Sequence, residues 1–190
     1  MTAVEAMLLT PGAGSSRDHS SLLAIEDALS MPVSRVDFPY RRAGRKAPDR
    51  APVLLACVRE EAAALAASCG AAPERIALGG RSMGGRICSM AVAEGLPAAA
   101  LVLISYPLHP PGKPENLRIA HLPAITVPCL FIHGTKDPFA TPDELTTHTA
   151  VIGGPVTHVW IDGKGHDLKG ADSRIATTIA EWFATISAEI

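Results

Sequence analysis

Long apolar runs are missing from this sequence, and so is any surplus of charge. No stretch reaches the roughly 18–20 consecutive apolar residues that a membrane-spanning helix requires, so no membrane partner is expected. Acidic and basic side chains nearly cancel, leaving a formal net charge of −2. That balance gives no overall attraction to nucleic acid or to an anionic surface, so a nucleic-acid partner is not expected either. Residues 1–10 lack the basic flank and apolar core of a secretory signal, and a cytoplasmic protein is expected. Cys57, Cys69, Cys88 and Cys129 form no C-x-x-C spacing and sit in apolar segments. Buried, reduced thiols are therefore expected, not disulfides or a metal centre. No H-E-x-x-H occurs, and Asp18-His19 is too small a pair to hold a metal, so neither metal nor cofactor is expected. Repeats, low-complexity tracts and linkers are absent as well. A chain of 190 residues with 47% hydrophobic residues then suits one domain over residues 1–190.

What is present alternates. Short apolar runs at Ala6–Thr10, Val33–Phe38, Arg75–Leu78, Ala99–Ile104, Cys129–Ile132 and Val156–Ile161 read as six strands. Between them lie helical patterns. Leu22, Ile25 and Leu29 share one face, Pro52 opens a helix that Gly70 can close, and Thr141-Pro142-Asp143-Glu144 is a capping box. Ile175, Ile179, Trp182, Phe183, Ile186 and Ile190 mark one face of a last helix. Strand and helix in turn predict an α/β fold: a mostly parallel six-stranded sheet with helices on both faces. Pro107–Pro128 is a proline-rich excursion without periodicity.

Gly80-Arg81-Ser82-Met83-Gly84 fits G-x-S-x-G, with an apolar strand before it and a helix-capable run, Ile87–Glu94, after it. A strand that turns sharply into a helix strains its central residue, and glycines two positions either side leave room for the turn. The hydroxyl then stands at the positive end of the helix. In a parallel sheet all strands deliver their C-terminal ends to one edge. Two later strand ends carry Asp137, in His133-Gly134-Thr135-Lys136-Asp137, and His166, in Gly163-Lys164-Gly165-His166. Serine needs a base to take its proton during attack, histidine can take and return it, and an aspartate can orient the imidazole. Ser82, Asp137 and His166 are the candidate catalytic residues, in the order Ser, Asp, His. Taken singly, Asp137 reads equally as a turn former and His166 as a loop histidine.

A developing oxyanion needs donors. The Met83 amide at the helix start is one candidate, and Ala13, with Gly12 as second choice, supplies the other from the loop after the first strand. Gly12-Ala13-Gly14-Ser15-Ser16-Arg17 has arginine where a dinucleotide fingerprint has its third glycine, and the elbow lacks the Lys-Ser/Thr of a phosphate loop. Tyr106 and Leu108 follow the strand after the elbow and are candidates to line an acyl pocket. Arg41 leads the basic loop Arg41, Arg42, Arg45 and Lys46, which reads either as a solvated loop or as an anion-attracting border of the pocket.

With these residues named, the chain resembles the α/β-hydrolase superfamily over nearly its whole length. It is similar to small lidless members near dienelactone hydrolase and, more narrowly, to the testis-expressed hydrolase-like proteins. The likeness rests on Pro11-Gly12-Ala13-Gly14, Phe38-Pro39-Tyr40, the elbow through Arg86, and the segments holding Asp137 and His166. It implies a Ser82, Asp137, His166 triad, an oxyanion hole from Ala13 and Met83, and no large lid. Position 82 is serine where dienelactone hydrolase has cysteine, and Pro11 stands where many relatives have histidine. The function expected is a serine hydrolase acting on ester or thioester bonds of small acyl substrates, with no cofactor. A non-catalytic binding or scaffold protein of the same fold is the alternative.

Overall fold

The computed structural model describes residues 3–188. Six strands, β1 (Ala6–Thr10), β2 (Val33–Arg35), β3 (Ile76–Arg81), β4 (Ala100–Ile104), β5 (Cys129–Gly134) and β6 (Val156–Ile161), form one sheet in the order β2-β1-β3-β4-β5-β6. Every neighbouring pair is parallel. Strands β1, β3, β4 and β5 are buried along their whole length, which is why they read as continuous apolar runs. The half-exposed edges β2 and β6 carry polar residues among the apolar ones.

Six α-helices cover the sheet: α1 (Ser20–Ala28), α2 (Pro39–Arg42), α3 (Ala51–Cys69), α4 (Met83–Ala93), α5 (Pro142–Thr149) and α6 (Asp172–Ala188). Strand side chains alternate between faces. Leu8, Leu78, Leu101 and Phe131 pack with Val58 of α3 and Ile87 of α4, while Met7, Ala77, Val102 and Ile132 pack with Ile25 of α1 and Ile179 of α6. Each fully buried Leu or Ile contributes roughly 1.5–3 kcal/mol.

Three local expectations change. β2 stops at Arg35, because Val36 still donates to Leu9 O but the chain then leaves the sheet for α2, where Pro39 presets the first helical φ. The basic segment therefore begins as a four-residue helix. Arg75 closes a 3₁₀ turn, Pro73–Arg75, and the strand starts after it. Helix α4 begins at Met83, four residues before Ile87. Cys57, Cys88 and Cys129 are buried, whereas Cys69, at the end of α3, is only half-buried. In the last helix Ile175, Ile179, Trp182, Phe183 and Ile186 are buried as the stripe predicts, and Ile190 lies outside the described residues.

Candidate active site

Strand order reverses between β1 and β3, since β1 is followed in the chain by β2 on one side and pairs with β3 on the other. A crevice forms at the carboxyl ends of strands on either side of such a switch. Ser82 follows β3 there, and Gly12 and Ala13 follow β1. A Cβ placed on Gly12 would lie 3.6 Å from Ser82 Cβ, which measures how closely the two turns approach.

Ser82 has φ 47° and ψ −117°, a positive φ on a residue with a side chain. Such a geometry costs on the order of 1–3 kcal/mol and persists only where its surroundings enforce it. Here the Ser82 N–H donates to Ile104 O at 2.8 Å, and Ser82 O accepts from the Arg86 N–H at 3.1 Å. The turn also needs bare backbone. A methyl group on Gly80 would fall on the side chain and carbonyl of Thr10, and one on Gly84 would stand 2.5 Å from Pro11 O and 2.6 Å from Thr10 Oγ1. Both glycines thus let the elbow lie against the end of β1.

The β5 and β6 turns are drawn together by a second set of contacts. Lys136 N–H donates to Lys164 O at 2.9 Å, and Thr135 Oγ1 accepts from the Gly163 N–H at 2.9 Å. These ties bring Asp137 and His166 face to face. His166 Nδ1 lies 2.8 Å from Asp137 Oδ2, and His166 Nε2 lies 2.8 Å from Ser82 Oγ. The Asp137 carboxylate is fully buried, the His166 side chain 25% exposed. Asp137 Oδ1 accepts the Phe139 N–H at 2.8 Å, so both carboxylate oxygens are used.

A second imidazole shares this carboxylate. His133 Nε2 lies 3.0 Å from Ala140 O and 3.3 Å from Asp137 Oδ2, while its buried Nδ1 has no partner. Both neighbours of Nε2 are acceptors, so the proton sits there and Nδ1 is bare. Burial lowers the pKa of His133, against the raising effects of Asp137 and the Ala140 carbonyl. The nearby thiol is inert by the same physics: burial pushes Cys88, which touches Thr10 Oγ1, up to about 12.

Neither the Ala13 nor the Met83 N–H donates to a carbonyl among the turn, loop and cap bonds of the described residues. Met83 is the first residue of α4, where an N–H has no intrahelical acceptor. The Ala13 turn is held from behind: Tyr40 Oη donates to Ala13 O at 2.8 Å, and the Tyr40 side chain is buried. Nothing local to Phe38-Pro39-Tyr40 points to this role for the tyrosine, because its partner is 27 residues away.

The remaining candidates take no part in the Asp137–His166–Ser82 hydrogen-bonded chain. Tyr106 and Leu108 are 1% and 0% exposed. Tyr106 stacks edge-on against Phe131 and donates to Arg118 O at 2.8 Å, so both side chains belong to the core and offer no solvent-facing surface to a substrate. Arg41 is half-buried and enters no ion pair among the described residues, whereas Arg42 and Arg45 pair with Glu61 and Asp49. Phe139 belongs to no motif, yet its ring stacks on His166.

Among solved structures, the chain is similar to dienelactone hydrolase from Anabaena variabilis, at 21% identity over 96% of this chain and 87% of that one, with a TM-score of 0.76. It is similar to Est1E from Butyrivibrio proteoclasticus, at 15% identity over 99% and 90%, TM-score 0.76. It also resembles an alpha-beta serine hydrolase homologue from Coxiella burnetii, at 14% identity over 95% and 86%, TM-score 0.75. At these identities the likeness is one of fold. No described helix is long and apolar enough to cross a membrane. The family model of the alpha/beta hydrolase domain matches residues 3–189, and the chain belongs to that family.

Proposed function

We propose that the protein is a serine hydrolase that cleaves ester or thioester bonds of small acyl substrates through an acyl-enzyme intermediate. The observation that carries this reading is the continuous chain Asp137–His166–Ser82, both links at 2.8 Å, ending on a serine in strained geometry at a helix start. Ser82 Oγ attacks the carbonyl carbon while His166 Nε2 takes the hydroxyl proton. Asp137, bonded to Nδ1–H, holds the tautomer that leaves Nε2 able to accept, and stabilises the imidazolium. The oxyanion forms against the Ala13 and Met83 amides, with Gly12 allowing the close approach. The imidazolium then protonates the leaving alcohol or thiol, and water deprotonated by the same nitrogen releases the acid. Arg41, next to Tyr40 in the chain and in no ion pair among the described residues, is the cation assigned to an anionic substrate group in this reading.

A panel of p-nitrophenyl esters and acyl thioesters of increasing chain length tests the reading. The expected result is a burst of close to one equivalent of product per chain, followed by slower turnover, both abolished in Ser82→Ala. Turnover that survives in Ser82→Ala would contradict it.

A further inference from the structure

Arg81 stands between Gly80 and Ser82, and alternation along β3 sends its side chain to the sheet face covered by α1 and α6. It is 6% exposed. Its guanidinium donates to Asp167 O at 2.9 Å, and to His166 O and Ser21 Oγ at 3.3 Å each. Among the described residues no carboxylate lies within ion-pair distance of it, whereas the more exposed Arg35 and Arg59 pair with Glu26 and Glu94. Burial pulls its pKa below the usual arginine value, against the more distant carboxylates of Asp172, Asp167 and Asp137.

A buried cation met only by neutral oxygens is a costly choice for filling space, since an apolar chain of similar volume would avoid the desolvation. What the guanidinium adds is a planar fork: Nη2 donates to two successive carbonyls while Nη1 donates to Ser21 Oγ on α1. Those carbonyls lie in the loop that carries His166. That loop has three residues at positive φ, Gly163 at 69°, Leu168 at 49° and Gly170 at 75°. Its own backbone bonds run from Lys164 to Ile161, Leu168 to Gly165 and Ala171 to Leu168. None of them uses the carbonyls of His166 or Asp167.

We infer that Arg81 is a positioning residue: it ties the loop bearing His166 to the strand end bearing Ser82, and so sets the distance between imidazole and hydroxyl. This rests on the triad reading proposed above. One dipeptide, Arg81-Ser82, then supplies both the nucleophile and the anchor of its base. A misplacement of about 1 Å at such a contact costs on the order of 100-fold in rate.

The test uses Arg81→Met and Arg81→Lys in the full chain. Three quantities are read: amide hydrogen exchange over residues 163–171, the rate of fluorophosphonate labelling at Ser82, and kcat and KM on p-nitrophenyl acetate. Faster exchange confined to that loop, a kcat lower by about 100-fold in Arg81→Met and about tenfold in Arg81→Lys, and a KM within about twofold support the inference. Wild-type exchange across the loop in a folded variant overturns it, as does an unchanged kcat. Lysine keeps the charge and most of the volume, so it decides the matter if the methionine variant does not fold. Absence of labelling in the unsubstituted protein would sink the triad reading instead, and loop exchange would still decide whether Arg81 holds the loop.

Discussion

The ring of Phe139 lies over the imidazole of His166, with centroids 4.0 Å apart and planes inclined by 30°. The same residue's N–H donates to Asp137 Oδ1. One residue therefore braces two members of the hydrogen-bonded chain, its backbone the carboxylate and its ring the imidazole. Phe139→Ala keeps the first contact and deletes the second. Aromatic stacking contributes about 0.5–1.5 kcal/mol beyond burial, so kcat/KM is expected to fall roughly two- to tenfold with little change in folding. Steady-state kinetics check this, and an unchanged kcat/KM would show that the imidazole is held without the ring.

Asp137→Asn tests the orientation of His166 more severely. The amide can present an N–H where the carboxylate accepted one, which favours the imidazole tautomer with its proton on Nε2, the atom that must accept from Ser82. A loss of roughly 10³–10⁴ in kcat is expected, with the fold retained by circular dichroism. His133, which shares Oδ2 at 3.3 Å, does not compensate, because its proton sits on the nitrogen that faces Asp137.

Tyr40→Phe removes only the hydroxyl that donates to Ala13 O. Leaving that carbonyl without its partner is expected to destabilise the fold by about 1 kcal/mol, which for a chain of this size lowers Tm by roughly 2–4 °C. The freed turn should also lower kcat severalfold with KM little changed. A shifted Tm with unaltered kcat would mean that the Ala13 amide is aimed by other contacts.

How much of this was legible follows the range of the interactions. The strands Ala6–Thr10 and Val156–Ile161 coincide with their apolar runs, and the Thr141–Glu144 capping box forms as its residues dictate, with Thr141 Oγ1 accepting the Glu144 N–H. Gly70 closes α3 in left-handed geometry, φ 69°. These are local rules acting over a few residues. The helix-capable run from Ile87 does not reach back to the helix start at Met83 because Gly84 and Gly85 are weak helix formers; the close fit of Gly84 to Thr10 and Pro11, and of Gly85 to Gly80, overrides their propensity. The helix at Pro39–Arg42 is too short to show a period. Ser82, Asp137 and His166 could be picked out because each follows a recognisable strand end. Arg81, Tyr40 and Phe139 could not, since their partners are remote in sequence or their side-chain roles appear only when the loops meet. Tyr106 and Leu108 show the converse: position after a strand end placed them near the site, but only packing shows that their side chains turn into the core.

Stability should depend on pH through His121. Burial, reinforced by the charge of Arg86, lowers its pKa from 6.5 to about 4. It lies against Ser89 Oγ at 2.8 Å as a neutral ring. Between those two values the unfolded chain takes up a proton that the folded chain refuses. The contribution is therefore fully present above about pH 6.5 and is lost as the pH falls towards about 4. Thermal melts over that range should show Tm falling with acid, and less steeply in His121→Gln. Equal slopes for the two proteins would exclude His121 as a source of the acid sensitivity.

The most direct measurement is covalent. The protein is incubated with a fluorophosphonate, digested, and the adduct mapped by mass spectrometry. A single modification on the peptide holding Gly80-Arg81-Ser82-Met83-Gly84 is predicted, assigned to Ser82, lost in Ser82→Ala and strongly slowed in His166→Ala. A folded protein that stays unmodified, or one labelled at another serine with Ser82 untouched, would contradict the account.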